Sequence, residues 1–194
     1  MEEFFYKLAL LILMFVFMAV RAPSVIKYKT TKKKVRKSTT ADLILIGFST
    51  LGMMIFPLIY VFSSIFDRFT MHLPDFIRIT GILLYIASII LMYLVLKELG
   101  RDWSMKLELG HNHRLVTSGP CRLVRHPMYT AFYLMMIGQL LLTSNWFVGF
   151  YGVAIWTLFC IIRIPEEEKM MTEEFGDDYL AYSRETGSLL PKFS

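Results

Sequence analysis

PMYTAFYLMMIGQLLLTSNWFVGFYGVAIWTLFCII (residues 127–162) decides the fold class of this chain. Two apolar runs, 127–142 and 146–162, are separated only by Thr143, Ser144 and Asn145, and neither carries a charge. A helix needs about 20 apolar residues to cross a bilayer, and lipid cannot solvate unpaired backbone amides. The stretch therefore reads as a helical hairpin in a membrane, each arm short enough to tilt or sit partly immersed.

Three more apolar runs lie upstream, at 4–20, 42–66 and 76–96, with Pro57 a kink point in the second. The 194-residue chain is 55% hydrophobic with a mean hydropathy of +0.50, above the roughly 45–50% apolar content of soluble proteins. The expected fold is an all-α integral membrane protein of about five transmembrane helices. Glu2 and Glu3 stand where a cleaved signal would carry basic residues, so the first run reads as a span. Cys121 and Cys160 are far apart and form no CxxC, which argues against a disulfide framework.

Basic residues set the expected orientation. All of the 21 lysines and arginines except Lys7, Arg68 and Arg78 fall on one side of a five-span arrangement. That side is the cytoplasm, with the N-terminus outside and the C-terminus inside. KYKTTKKKVRK (residues 27–37) then reads as a topology signal touching anionic lipid headgroups. Nucleic-acid binding would call for interleaved aromatics on a folded scaffold, so membrane lipids are the expected partners and nucleic acid is not. Arg122 and Arg125 are explained in the same way, as cytoplasmic-side cations.

The chain divides into residues 1–96, with spans one to three and a basic cytoplasmic loop at 21–41, and residues 97–194, with the 127–162 hairpin. The polar mass of the second half lies in 97–126 and 163–194, on the same side of the membrane, and function is expected there. In HRLVTSGPCRLVRHPMY (residues 113–129), two short extended runs flank a Ser-Gly-Pro turn. His126 precedes a proline and is pushed out of helical geometry, while Pro127 suits the first helical position. The fourth span thus opens at Pro127, with its positive end and free amides turned to the loop, a natural place for a carboxylate or phosphate. Tyr129, in the first turn, suits either an interfacial anchor or a ligand contact.

His111, His113 and His126 suggest a metal, but no cysteine or carboxylate pattern completes a zinc site, so no metal is expected. In RIPEEEKMMTEEFGDDYLAYSRET (residues 163–186), Arg163 and Glu167 are four residues apart and share a helix face if Pro165 does not part them. A snorkelling arginine beside a solvated acidic cluster is the plain reading; a site is the other. A break at Gly176 separates this segment from a second short helix carrying Tyr179 and Tyr182.

Taken in order, LVTSGP, RHPxY, RIxxEE and FGxxYxxY around a hairpin resemble the isoprenylcysteine carboxyl methyltransferase family of integral membrane enzymes, over about residues 97–190. The resemblance implies a catalytic second half that uses S-adenosyl-L-methionine as donor, with S-adenosyl-L-homocysteine as product. The implied acceptor is a farnesyl- or geranylgeranyl-modified cysteine arriving from the bilayer, and the implied site is a cytoplasmic pocket between the 97–126 loop and the C-terminal tail. Carried over by motif, Lys106, His113, Arg114, Leu115, Val116, Cys121, His126, Pro127, Met128, Tyr129 and Glu167 line the cofactor pocket. Lys106 and Cys121 depart from the glutamine and the aromatic of some eukaryotic members. Arg163 matches the arginine at the acceptor carboxylate, with Glu167 beside it as the second catalytic position. Phospholipid N-methyltransferases and NADPH-dependent sterol reductases carry a similar RHPxY region and are the alternatives, with a non-enzymatic scaffold a third.

Overall fold

The computed structural model describes residues 2–30, 40–99 and 115–192. Its helices are α1 (Glu2–Thr30), α2 (Thr40–Thr50), α3 (Phe56–Phe62), α4 (Asp75–Leu99), α5 (Pro127–Thr143), α6 (Trp146–Phe175) and α7 (Asp177–Glu185). Strand pairing among the described residues is confined to two isolated bridges, Thr70 with Asn145 and Val124 with Gly187. Four segments are long and apolar enough to cross a membrane: Glu3–Ile26, Asp42–Phe62, Asp75–Leu99 and Trp146–Phe175. The fifth expected span, α5, is apolar but only 17 residues long. The chain is an all-helical, multi-pass membrane bundle.

Two expected boundaries move. The first helix runs through Pro23 to Thr30 instead of ending near residue 20. The last span does not stop at 162: α6 continues through Pro165 to Phe175, so the acidic segment extends the span itself. The second of the two expected extended runs is a 3₁₀ turn, Gly119–Arg122, with only Val124 in a bridge.

Pro57 acts as expected, by a specific device. A proline removes its own N–H and crowds the carbonyl one turn back. The chain answers with a π-helical turn, Leu51–Ile55, in which the Phe56 N–H reaches back to the Leu51 carbonyl. This frees the Gly52 carbonyl, and the fully buried Gln139 of α5 donates its Nε2 to it at 3.0 Å. The proline, the π turn and the buried glutamine form one unit, which ties α2 to α5.

α4 and α5 pack backbone to backbone through Gly81 and Gly138. A Cβ on Gly81 would stand 2.6 Å from the Leu142 nitrogen and 2.7 Å from the Gly138 carbonyl. Without a hydrophobic drive between helices in lipid, such close approach is what holds them. The 143–145 turn is set locally: Ser144 is left-handed (φ 48°), and Asn145 caps α6 by accepting the Val148 N–H at 3.1 Å. Asn145 also donates to the Phe66 carbonyl at 2.7 Å.

The helices alternate in direction, and hydrogen bonds mark one end of the bundle. Arg78 of α4 pairs with Glu3 at 2.7 Å and donates its Nε to the Leu142 carbonyl at 3.1 Å. Tyr60 donates to Glu3 and to the Thr143 carbonyl. The starts of α1 and α4 and the ends of α3 and α5 therefore meet there. The starts of α2 and α5 and the second half of α6 meet at the opposite end, where the chemistry-bearing motifs lie.

Candidate functional site

Pro127 begins α5 and holds His126 outside the helix, at φ −119° and ψ 58°. The C-terminal tail then binds this corner as a strap. Arg125 N–H donates to the Gly187 carbonyl at 2.8 Å, and His126 N–H donates to the Ser188 carbonyl at 3.0 Å. Thr130 Oγ1 donates to the Leu189 carbonyl at 2.7 Å. Arg125 Nη1 clasps the Ser183 and Thr186 carbonyls, and Tyr182 donates to the Cys121 carbonyl. The strap fixes the motif that carries His126, Pro127 and Tyr129.

Because α6 is unbroken at Pro165, Arg163, Glu167 and Glu168 are presented to α5 on a single helix. Tyr129 Oη donates to Glu167 Oε1, and Arg163 Nη2 lies 3.5 Å from the same oxygen. His126 stands between the two acids, with Nδ1 3.6 Å from Glu167 Oε2 and Nε2 3.2 Å from Glu168 Oε1. Its ring stacks on Tyr129 at 5.6 Å with a 9° tilt. Trp156 Nε1 donates to the Tyr129 carbonyl at 3.2 Å, and Trp156 stacks on Phe159. Burial favours neutral His126, but the hydrogen bonds and charge of Glu167 and Glu168 outweigh it and raise its pKa above the usual 6.5. In the protonated ring both imidazole nitrogens are donors.

Arg163 has a side chain only 6% exposed. Its Nη1 lies 3.2 Å from Asp42 Oδ1 at the start of α2, and Phe159 lies 5.8 Å away. Its Nε is buried and has no hydrogen-bond partner among the described residues. The arrangement holds one buried cation against two carboxylates, with a donor left over.

Of the residues expected at the site, His126, Tyr129, Arg163 and Glu167 converge in one bonded cluster. Pro127 and Met128 sit at its edge, at the start of α5. Leu115 and Val116 lie half-buried ahead of the 3₁₀ turn, outside the cluster. Cys121 is buried with a free thiol, whose pKa is pushed up to about 11 by burial and by Glu98, which keeps it neutral. Lys106, His113 and Arg114 lie outside the described residues, as does His111.

Three site residues were missed. Arg125 is a correction: its side chain is 14% exposed and pairs with Glu168 through Nη2 at 2.8 Å and Nε at 3.0 Å, so it is a clamp and not a bare topology cation. Glu168 accepts from both Arg125 and His126. Asp42 lies 121 residues from its partner Arg163. The EE dipeptide signalled Glu168; nothing local signalled the Asp42 pairing.

Residues 81–173 match the isoprenylcysteine carboxyl methyltransferase (ICMT) family. Protein-S-isoprenylcysteine O-methyltransferase A of Arabidopsis thaliana is 32% identical over 114 residues, 57% of each chain. Protein-S-isoprenylcysteine O-methyltransferase B of Arabidopsis thaliana is 28% identical over 159 residues, covering 80% of this chain and 79% of the relative. The match to the A protein thus spans less than two thirds of that relative's length. A solved eukaryotic intramembrane Ras methyltransferase of the same description shares the fold at a TM-score of 0.56 and 22% identity, covering 91% of this chain and 60% of the other. Sequence over residues 81–173 and fold over most of the chain together bear out the resemblance to the isoprenylcysteine carboxyl methyltransferase family.

Proposed function

We propose that this chain transfers a methyl group from S-adenosyl-L-methionine to the carboxylate of a farnesyl- or geranylgeranyl-modified cysteine, at the cytoplasmic face of a membrane. The observation that carries the reading is Arg163, a buried guanidinium at the end of apolar helices with its Nε unpaired among the described residues. A buried cation with a spare donor favours an anion, and the planar fork suits a carboxylate. An amine acceptor would be repelled by it.

The residues present fit the cofactor. Glu167, 23% exposed, supplies a carboxylate for an ammonium group. The start of α5, which the His126 side chain does not cap, supplies a positive end for a carboxylate. His126, Pro127, Met128, Tyr129 and Glu167 would hold it, with Leu115, Val116 and Cys121 at the margin and Lys106, His113 and Arg114 completing the expected set. When bound, S-adenosyl-L-methionine supplies an electrophilic methyl group on a sulfonium and departs as S-adenosyl-L-homocysteine.

The chain's own residues then have modest chemical work. An acceptor carboxylate is ionised at neutral pH and needs no general base. Arg163 orients it, and because Arg163 is shared with Glu167 its pull leaves the attacking oxygen nucleophilic. Tyr129 Oη donates to Glu167 and holds that carboxylate in place. The Trp156–Phe159 stack walls the site with apolar surface. A cation and an anion become neutral products here, so charge declines toward the transition state and exclusion of water assists. A lipid-modified acceptor reaches Arg163 sideways from the bilayer, between helices.

The test is transfer of labelled methyl from S-adenosyl-L-methionine to N-acetyl-S-farnesylcysteine by the purified protein in lipid nanodiscs. Alkali-labile label in the acceptor is expected. Label absent from it, or found instead on an amine lipid, would overturn the reading.

A further inference from the structure

The buried face of α1 runs through Tyr6, Leu10, Leu13, Met14 and Phe17, the spacing of a helix that turns one side to the bundle. The next position on that face is Arg21, a half-buried arginine inside an apolar span. Its guanidinium carbon lies 5.0 Å from the Phe132 ring centre, and its Nε is buried with no hydrogen-bond partner among the described residues. The acids described at this end are engaged elsewhere: Asp42 with Arg163, Glu98 with Ser118, Glu167 with Tyr129, and Glu168 with Arg125 and His126. We propose that Arg21 holds the phosphate of an anionic phospholipid, at a specific site beside Phe132 between α1 and α5.

A charge on this face calls for a partner. An ionised side chain within a span is costly, and such residues pair with an opposite charge or with backbone oxygens. The Phe132 face attracts the guanidinium through its ring quadrupole, but it supplies no negative charge. Phe132 is itself only 2% exposed, so that side of the guanidinium is closed to water. None of the described residues supplies the counter-ion. The half-buried side chain leaves an open side through which one from outside can approach.

Depth selects the source. Phe132 is five residues into α5, about 7.5 Å from the helix start, and the polar layer of a bilayer is about 5–7 Å thick on each side. A phospholipid phosphate reaches this level with its acyl chains still among lipid. Apolar surface for those chains is present on α1 itself, where Phe15, Val16, Met18 and Ile26 are exposed. The basic run that begins at Lys27 draws anionic lipid to the same end. With the described acids engaged, a headgroup amine finds no partner there, so a headgroup without one is preferred. A guanidinium offers a phosphate two parallel N–H donors. The site also adjoins the proposed catalytic cleft: Phe132 lies 4.5 Å from Trp156, Trp156 stacks on Phe159 at 4.8 Å, and Arg163 lies over Phe159. A seated lipid closes the α1 end of the aromatic wall whose other end is Arg163.

The experiment uses the full chain in detergent, with native mass spectrometry for bound lipid and a thermal midpoint for stability, and it needs neither cofactor nor acceptor. The probes are dioleoylphosphatidylglycerol, dioleoylphosphatidylcholine, dioleoylglycerol and inorganic phosphate. Phosphatidylglycerol is expected to bind best, phosphatidylcholine less well, and dioleoylglycerol, which lacks the phosphate, worst. Arg21→Gln should weaken phosphatidylglycerol binding roughly tenfold, the loss of one charge-assisted hydrogen bond, and Arg21→Lys should fall between. Phosphatidylglycerol should raise the midpoint of the native protein and not that of Arg21→Gln, because a ligand stabilises only a form that binds it. Arg68→Gln is the control: Arg68 also lies over a ring, Phe69 at 4.6 Å, but in an exposed turn at the other end of the bundle. Equal retention of dioleoylglycerol and phosphatidylglycerol, or an equal loss in Arg68→Gln, overturns the site. So does a lower midpoint in Arg21→Gln with lipid binding unchanged, which would make Arg21 a packing contact to Phe132 alone. Displacement of the lipid by inorganic phosphate at equal concentration would overturn the lipid as occupant in favour of a free anion.

Discussion

Glu168→Ala should release the C-terminal strap before it harms the membrane bundle. In the native protein Glu168 Oε1 accepts from Arg125 Nη2 at 2.8 Å, from Arg125 Nε at 3.0 Å and from His126 Nε2 at 3.2 Å. Its loss leaves the Arg125 guanidinium and the His126 ring without their shared anion, in side chains only 14% and 9% exposed. Removing one partner of a fully buried pair costs about 3–5 kcal/mol. Glu168 itself is 30% exposed, and solvent screening brings the expected loss to about 2 kcal/mol. That loss falls on the corner where Arg125 and His126 N–H donate to Gly187 and Ser188. Local opening should become roughly 30-fold more frequent, at tenfold per 1.4 kcal/mol. Amide hydrogen exchange in nanodiscs reads this directly, because those two amides report the strap. The Gly149 amide, bonded to Asn145 at the far end of the bundle, serves as internal control. Unchanged exchange at 125 and 126, or an equal rise at 149, would refute a local clamp.

The same strap should loosen as pH rises. His126 has a folded pKa raised above its unfolded value, so its contribution is complete below about 6.5 and is lost as pH climbs through the raised value; exchange at 125 and 126 should accelerate across that window and be far less pH-dependent in Glu168→Gln. Gln139→Leu leaves the Gly52 carbonyl unpaired and should cost about 1 kcal/mol in a membrane bundle, read as a lower midpoint in detergent unfolding; no change would mean that the π turn satisfies itself. Gly81→Leu should block assembly of the bundle, because its Cβ would meet backbone atoms of Leu142 and Gly138 that cannot step aside, whereas Gly47→Ala, with open space around it, should be neutral or gain up to about 1 kcal/mol. Thermal unfolding of the two variants side by side tests the contrast.

Much of the fold was legible because its signals are local. Pro127 after His126 announces a helix start through backbone sterics alone, and Thr-Ser-Asn between apolar runs announces the hairpin. The end of α6 was hidden for a physical reason. A proline within a helix costs about 3 kcal/mol, so Pro165 read as a bend. The helix nevertheless continues, with Arg163 and Glu167 on either side of the proline engaged by Asp42, Tyr129 and His126. At the site, motif spacing identified the residues that share a short segment or a helix face. It could not reveal pairings such as Arg125 with Glu168 or Asp42 with Arg163, which depend on how α2, α5 and α6 pack. The π turn was visible only as Pro57; that Gln139 would satisfy the freed carbonyl required the tertiary structure.

The most direct test of the central claim is the response of acceptor and cofactor binding to Arg163→Ala in the full-length protein in nanodiscs. Loss of a charge-assisted carboxylate contact worth about 1.5–3 kcal/mol should reduce kcat/KM for N-acetyl-S-farnesylcysteine roughly 10- to 150-fold. Calorimetric affinity for S-adenosyl-L-methionine should change by less than about threefold. An acceptor kcat/KM that stays native in Arg163→Ala, or a fall in turnover matched by an equal loss of S-adenosyl-L-methionine affinity, would contradict the assignment of Arg163 to the acceptor carboxylate.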